Sequence, residues 1–191
     1  MAVYTKISSK DIHLTNSKFD IDEIKSFQGI KKGIENTNYL LKTKNEKFIL
    51  TIFEKRVSNK EIPFFMKLMD NLNQSKISCP KPLKDKNGNY LFKLKNKTAC
   101  VVTFLKGKDK KVLKTNNCYQ VGKIISKMHS ITKKLKFSRK NSMGIQNLNT
   151  LLKSIKFKSK KNSNLEKFLA KNLSNIKKNW PSKLPNGIIH G

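Results

Sequence analysis

Residues 29–41 form the segment of this chain whose composition best suits a chemical task, namely contact with phosphate groups. The segment contains Gly29 and Gly33, followed by Asn36, Thr37 and Asn38. Small and amide-bearing residues let the backbone approach a phosphate closely, so that its N–H groups can donate hydrogen bonds. The spacing is looser than a GxGxxG fingerprint, and an ordinary hairpin is the alternative interpretation of these residues.

Histidines and carboxylates do not combine into a second site. His13 has no informative neighbours, and His129 follows an apolar residue in a predicted helix, where packing is the simpler explanation. Asp85 and Asp109 lie in polar segments without the spacing of metal ligands. The sequence therefore predicts no metal site among the residues present.

The cysteines and the hydropathy of the chain bear on its compartment. Cys79, Cys100 and Cys118 are odd in number and have no CxxC spacing, which favours reduced thiols over a disulfide framework. The first residues lack the apolar stretch of a signal peptide, and no apolar run is long enough to cross a membrane. These features predict a cytoplasmic protein with no membrane partner.

The formal net charge of +30 raises the question of a nucleic-acid partner. Of the 42 basic residues, however, Arg56 and Arg139 are the two arginines, and arginine is the side chain most used for reading bases. The lysines are spread along the whole chain beside 21 asparagines, which indicates a compositional bias. We predict no specific nucleic-acid partner, although polyanions should bind non-specifically at low salt.

Apolar patterns predict a small sheet in the first half of the chain. The predicted strands cover residues 27–30, 37–43, 48–54, 90–94 and 99–105. Asn45 and Glu46 would connect the second strand to the third. The pair Asn87 and Gly88 is typical of a hairpin turn and predicts that Leu83 and the strand at 90–94 are hairpin partners.

Helical spacing of apolar residues predicts the remaining elements. One helix is expected over residues 61–72, with Pro63 in its first turn, where a missing N–H does no harm. Two more are expected over 117–132 and 165–180, and a short helical lead-in is expected within residues 1–25. The polar, lysine-rich stretch at 156–164 predicts a loop.

These elements predict an α+β chain of two lobes. Residues 1–106 would form an antiparallel sheet with one main helix, and residues 107–191 would form an incomplete helical lobe. Lys106 and Gly107 mark the hinge between the two lobes.

In this order of elements and in several local motifs, the chain closely resembles bacterial homoserine kinases of the aminoglycoside-phosphotransferase-like type, which have a two-lobe protein-kinase-like fold. The matching motifs include Glu35-Asn36-Thr37-Asn38-Tyr39 and the terminal pair His190-Gly191. The resemblance covers essentially the whole chain. The matching stretches are residues 2–5, 29–41, 49–56, 63–65, 79–82, 102–105, 141–144 and 180–191.

The resemblance implies ATP-dependent phosphorylation of the L-homoserine hydroxyl to O-phospho-L-homoserine, a step toward threonine, with Mg²⁺ as the metal. It implies that the hairpin from Gly29 to Asn38 covers the ATP phosphates. It also implies that Thr103, Phe104 and Leu105 form the hinge that meets the adenine, and that Ile30 and Ile49 enclose the ring.

Three positions depart from the family pattern. The lysine that this fold usually places on the third strand aligns with Thr51, and Lys55 lies four residues further on, where it is either a phosphate ligand or a solvated lysine. By resemblance, His190 supports the catalytic loop and is not itself the base. The catalytic aspartate, which normally follows the His-Gly pair, and the Mg²⁺ ligands have no counterpart among the 191 residues, so we expect no kinase turnover from this polypeptide alone.

Two alternatives remain open at this point. A related small-molecule kinase could act on choline, an aminoglycoside or methylthioribose, because the acceptor pocket would lie outside these residues. A non-catalytic nucleotide- or polyanion-binding protein is the other alternative, and the charge of +30 is its main support. The sequence gives no oligomeric state.

Overall fold

A computed structural model of the chain describes residues 3–54, 58–141, 144–155, 160–181, 183–184 and 187–188. These residues fall into two compact units. The first runs to Phe137 and includes Ile188, and the second spans Ser138–Gly187. The first unit joins an antiparallel sheet to helices, so the predicted α+β class is confirmed.

The sheet of the first unit has five strands in the order β1-β2-β3-β5-β4. All neighbouring strands are antiparallel. The strands are β1 (Ser26–Gly29), β2 (Thr37–Lys42), β3 (Lys47–Ile52), β4 (Phe92–Leu94) and β5 (Lys97–Thr103). The predicted turn at Asn45 and Glu46 is confirmed, and it is closed by a 3.0 Å hydrogen bond that the Thr43 N–H donates to the Glu46 carbonyl.

One face of the sheet packs against α1 (Ser9–Lys18) and the segment that follows it. Alternation along a strand sends every second side chain to this face. Its buried apolar residues, which define what we call the α1 face, include Tyr39, Leu41, Leu50 and Ile52. Ser8 and Asp11 form a capping box at the start of α1, and the helix ends at Lys18, before residues 19–24.

The other face packs against α2 (Ile62–Gln74), and we call it the α2 face. Ile62 and Met66 on the helix are buried against Cys100 and Val102 of β5. This stripe is the one that the sequence predicts, and Pro63 lies in the first turn as expected. Because β5 is covered on both faces, five of its seven residues are buried, which matches its continuous apolar sequence.

The hairpin prediction at Asn87 and Gly88 is wrong in its pairing. These residues do form a turn, in which the Asp85 carboxylate accepts hydrogen bonds from the N–H groups of Asn87 (3.0 Å) and Asn89 (2.8 Å). Two 2.8 Å backbone bonds, from the Gly88 N–H to the Asp85 carbonyl and from the Asp85 N–H to the Asn89 carbonyl, also cross it, but Leu83 bonds to Val101 of β5 instead of pairing with the strand at 90–94. The strand that follows pairs with β5 through a tight turn at Lys95 and Asn96, whose φ angles are 50° and 60°. Two consecutive positive φ angles are the signature of a type I′ hairpin, and the Lys-Asn pair is a weaker signal for it than Asn-Gly.

Three further helices follow the sheet: α3 (Thr115–Thr132), α4 (Ile145–Ser154) and α5 (Lys160–Lys178). The first belongs to the first unit, because it contacts α2, and the other two contact each other in the second unit. The prediction missed α4, and the loop that it expected through residue 164 is wrong, since α5 already begins at Lys160. Within the described residues, none of the helices is long and apolar enough to span a bilayer.

The compact units differ from the predicted lobes, because α3 clusters with the sheet. The lobe boundary predicted at residue 106 is a division into functional lobes and not into compact units, and it stays a prediction. For residues 160–163 the structure describes the helical backbone alone.

Candidate nucleotide-binding site

Strand register brings four of the predicted site residues to the α2 face. Asn38 of β2 lies opposite Thr51 of β3, and the Ile30 N–H donates a 2.8 Å hydrogen bond to the Asn38 carbonyl. Ile49 lies two residues before Thr51 and therefore on the same face, where it packs against the cluster that includes Val102. Apolar surface at Ile30 and Ile49 thus lies beside the polar pair Asn38 and Thr51.

The polar pair is joined directly. The Thr51 hydroxyl donates a 2.8 Å hydrogen bond to Asn38 Oδ1. This bond orients the amide and leaves its Nδ2 group, which has no other partner within the described part of the chain, as a donor of two hydrogen bonds. Sequence reasoning selected both residues but missed their contact, because the pairing follows from a register that composition does not reveal.

Gly29 and Thr37 lie on the α1 face instead. An added Cβ at Gly29 would lie 2.9 Å from Val3 Cγ2, so this glycine permits close contact with Val3. The Thr37 side chain is fully buried, and its hydroxyl accepts hydrogen bonds from the N–H groups of Tyr4 (2.9 Å) and Thr5 (3.1 Å). The Thr37 side chain is therefore engaged within the protein, and its part in nucleotide binding stays a prediction.

The 30–36 loop connects β1 to β2 between these two faces. Gly33 has a φ of 115°, a backbone conformation that residues with a Cβ rarely adopt. Asn36 closes the loop, because its Oδ1 accepts a 3.4 Å hydrogen bond from the Glu54 N–H. The loop thus contains a glycine conformation that would let its backbone approach a ligand closely.

The predicted hinge follows directly on β5. The Thr103 N–H donates to the Lys81 carbonyl (2.9 Å), and the Phe104 N–H donates to the Lys47 carbonyl (3.1 Å). Leu105 is 43% exposed, and its N–H has no partner within the described residues. Two hinge amides are therefore occupied by the protein, and the third is available to a ligand.

A partly buried polar network lies just beyond the end of β3. Glu54 accepts hydrogen bonds from the Thr5 and Thr37 hydroxyls, each 2.7 Å long, and from Lys97 Nζ. Burial alone would raise the pKa of Glu54, but these hydrogen bonds, from Lys97 first and then from the two threonines, hold its pKa below the usual range. Glu54 therefore stays ionised at neutral pH and is fully engaged within the protein.

Two cavities of the structure lie elsewhere. The larger, about 490 Å³, has a mixed lining that includes Thr103, two carboxylates and two lysines (Asp70, Glu46, Lys81 and Lys84), and neither Ile30 nor Ile49 lines it. The smaller, about 340 Å³, is lined by Asp20, Asp22 and Glu46 among others. Because neither cavity is lined by Ile30 or Ile49, the α2 face is the better candidate for the nucleotide site.

Two predicted site residues, Lys55 and His190, lie outside the described residues. Among the residues that the structure does describe, no cluster of histidine, cysteine or carboxylate side chains could hold a metal ion. The arrangement at the α2 face therefore offers hydrogen-bond donors and an apolar surface, which suit binding and orientation of a phosphorylated ligand.

Comparison with known families decides the assignment. The profile described as the phosphotransferase enzyme family matches residues 26–191. The chain belongs to this family. This phosphotransferase is 35% identical over 193 residues to the homoserine kinase of Bartonella tribocorum. It is also 35% identical over 192 residues to the homoserine kinase of Rhodopseudomonas palustris. Both matches cover 100% of the chain, and the chain spans about 60% of the length of these relatives.

Solved phosphotransferase structures show the same fold. A spectinomycin phosphotransferase crystallised with ADP and spectinomycin has a TM-score of 0.56 at 14% identity, over 91% of this chain and 56% of its own. A microcompartment-associated aminopropanol kinase has a TM-score of 0.52 at 14% identity, over 72% of this chain and 44% of its own. These neighbours confirm the predicted kinase-like fold of the phosphotransferase.

Proposed function

We propose that this chain is the nucleotide-binding part of an ATP-dependent kinase that phosphorylates the L-homoserine hydroxyl to O-phospho-L-homoserine, a step in threonine biosynthesis. The observation that carries the proposal is the 35% identity to homoserine kinases along the whole chain. It is supported by the α2 face, where orientable donors lie beside an apolar surface. Cytoplasmic localisation stays a prediction that accords with three free cysteines.

ATP would be bound by two groups of residues. The 30–36 loop, with the Asn38 amide, would bind phosphates, because it offers backbone and side-chain donors near a glycine with positive φ. Ile30, Ile49 and the Leu105 N–H would bind the adenine, since a purine site needs an apolar surface and a few backbone hydrogen bonds. Lys55 is retained as a further candidate phosphate ligand.

The chemistry would be in-line transfer of the γ-phosphoryl group that ATP supplies, with Mg²⁺ as its counter-charge. In such reactions the protein contributes mainly position and electrostatic stabilisation. The residues of this chain would hold the nucleotide, and His190 would support the catalytic loop. None of the described residues is assigned to the metal.

The identity of the acceptor is the least direct part of the proposal. Kinases of the same fold that act on choline, aminoglycosides or methylthioribose are alternatives. The two fold neighbours are named for different acceptors, spectinomycin and aminopropanol. Homoserine is favoured by sequence identity, which is 35% for the homoserine kinases and 14% for the fold neighbours.

Titration of the 191-residue chain with ADP tests the nucleotide part of the proposal. Calorimetric titrations would be run at low and at physiological salt, with inorganic polyphosphate as a matched ligand. Binding to the α2 face should persist at physiological salt, whereas non-specific polyanion binding should fall steeply. If ADP and polyphosphate both lose binding at physiological salt, the polyanion alternative, which the charge of +30 favours, replaces the proposal.

A coupled assay with ATP, Mg²⁺ and L-homoserine tests the activity itself. The 191-residue polypeptide is expected to give no rate above a protein-free control, and a polypeptide with the length of the relatives is expected to phosphorylate homoserine. Choline and an aminoglycoside serve as acceptor controls. A higher rate on either control would replace homoserine as the acceptor.

A further inference from the structure

Residues 3–5 run along the 30–36 loop and contact the chain before, within and after it. Before the loop, Val3 lies against Gly29, where an added Cβ would be 2.9 Å from Val3 Cγ2. After the loop, the buried Thr37 hydroxyl accepts hydrogen bonds from two N–H groups of this segment, those of Tyr4 and Thr5. The segment is therefore fixed at both ends of the loop.

The contact within the loop comes from one side chain. The Tyr4 hydroxyl donates a 3.0 Å hydrogen bond to the Ile34 carbonyl. Ile34 itself is 81% exposed, so its side chain does not hold the loop by packing. Lys32, its near neighbour, forms a 2.9 Å ion pair with Asp109, but both side chains are almost fully exposed, and such pairs contribute little.

The backbone of Tyr4 is held much more firmly than its ring. The Thr37 hydroxyl accepts from the Tyr4 N–H, and the same hydroxyl donates to Glu54, which Lys97 also contacts. Tyr39 adds a second anchor, because its hydroxyl donates a 3.0 Å hydrogen bond to the Thr5 carbonyl. A side chain whose backbone is anchored in a partly buried network can restrict the loop at the carbonyl that it contacts.

We propose that Tyr4 is a positioning residue for the nucleotide, which it serves by holding the 30–36 loop in its binding conformation. The inference rests on the proposed function of that loop. Tyr4 acts through the Ile34 carbonyl and needs no contact with the ligand. The hydrogen bonds between Glu54 and Thr37, between Thr37 and the Tyr4 backbone and between the Tyr4 hydroxyl and Ile34 would therefore restrict the motion of the loop.

The test is the substitution Tyr4→Phe, which removes the hydroxyl and keeps the ring. Tyr119→Phe is the matched control, because Tyr119 is 64% exposed on α3 and no partner of its hydroxyl is seen among the described residues. Hydrogen exchange of the 30–36 peptide would be followed by mass spectrometry in the 191-residue chain, and ADP affinity would be measured by calorimetry on the same samples.

In Tyr4→Phe, exchange of the 30–36 peptide should accelerate about three- to tenfold, the range expected for one lost hydrogen bond. The Kd for ADP should rise by about two- to threefold as the binding-competent fraction falls. Exchange in β3 and β5 and the melting temperature should stay unchanged. The control should match the original chain in all of these measurements.

Each contrary result has a separate meaning. Unchanged exchange in the 30–36 peptide overturns the role of Tyr4, whatever the ADP affinity. Faster exchange with an unchanged Kd overturns positioning, and faster exchange throughout the sheet shows a general loss of stability instead. If the original chain does not bind ADP, the proposed function fails, and the positioning role fails with it even where the loop exchanges faster.

Discussion

The Thr51 hydroxyl lies 2.8 Å from Asn38 Oδ1, and the two residues face each other across β2 and β3. Thr51 stands where the resemblance leads us to expect a lysine that contacts phosphates. The structure offers a different donor at almost the same place, because the threonine fixes the amide oxygen and leaves Nδ2 to donate. The neutral Asn38 amide would thus supply part of the hydrogen bonding to phosphates that a lysine supplies in related kinases.

Thr51→Val should therefore weaken nucleotide binding without unfolding the chain. Valine fits a half-buried strand position, but it no longer orients the Asn38 amide. We expect the Kd for ADP to rise about three- to tenfold, the effect of one hydrogen bond. Calorimetry measures the change, with Thr150→Val on the exposed side of α4 as the control. An unchanged Kd would show that Asn38 does not depend on Thr51.

Gly33→Ala tests the conformation of the 30–36 loop. At a φ of 115° an alanine is strained, at a cost of about 1–3 kcal/mol, and the loop should relax away from its present path. ADP binding should weaken at least threefold in a calorimetric titration. Gly122→Ala is the control, because a Cβ there meets open space within α3 and should raise stability by about 0.5–1 kcal/mol. Equal ADP affinity in both variants would contradict the loop's role.

Thr37→Val should destabilise the chain strongly for a change of one hydroxyl. The substitution removes the acceptor of two backbone N–H groups and one donor to Glu54, and we expect a loss of about 2–4 kcal/mol in the free energy of unfolding. Urea denaturation provides the measurement. In Thr15→Val, the control, a buried hydroxyl loses a single 2.8 Å bond to the Asp11 carbonyl within its own helix. If Thr15→Val lowered the free energy of unfolding as much as Thr37→Val, the hydrogen-bond network of Thr37 would not be the source of the stability.

The depressed pKa of Glu54 makes part of the stability dependent on pH. Because its pKa is lower in the folded chain than its ordinary value of 4.5, the ionised form favours folding. This contribution is fully present above about pH 4.5, and it is lost as the pH falls through the lower folded value.

Glu54→Gln should accordingly lower the free energy of unfolding at pH 7, by about 1–3 kcal/mol. The difference from the original chain should shrink as the pH falls below 4.5. Denaturation curves between pH 7 and pH 3 would follow it. Glu23→Gln, at an exposed pair with Lys25, is the control and should change little. A difference that stays constant with pH would show that the charge of Glu54 is not the source of stability.

The three cysteines should react with a thiol reagent at widely separated rates. Cys118 is exposed, Cys79 is half-buried, and Cys100 is 2% exposed. Burial raises the pKa of Cys100 to about 12, so almost none of it is the reactive thiolate at neutral pH. Mass spectrometry of the alkylated chain should show modification at Cys118 first and at Cys100 only after denaturation. Early reaction at Cys100 would contradict the packing of α2 on β5.

Sequence reasoning predicted the sheet, α2 and α3 well because each has a clear pattern. Alternating or continuous apolar residues mark β2, β3 and β5, and Pro63 marks the start of α2. It failed where the pattern is weak or misleading. The turn at Lys95 and Asn96 lacks glycine, and the lysines of residues 156–164 obscured the first turn of α5.

Within the candidate site, the segments could be predicted from the sequence, but the directions of their side chains could not. Gly29, Thr37 and Asn38 are close in sequence, yet the strand turns Thr37 to the α1 face and Asn38 to the α2 face. The network of Glu54 with Lys97 could not be foreseen, because it joins residues 43 positions apart through a register that depends on the whole sheet.

The contact between Thr5 and Lys97 spans 92 residues of sequence. On the ribosome the segment that flanks the 30–36 loop emerges well before Lys97, which completes the network with Glu54 and belongs to the last strand of the sheet. Such long-range closure is entropically costly and comes late in folding. During synthesis the loop should therefore stay open to proteases and chaperones until β5 has paired, even though every residue of the loop itself was made long before.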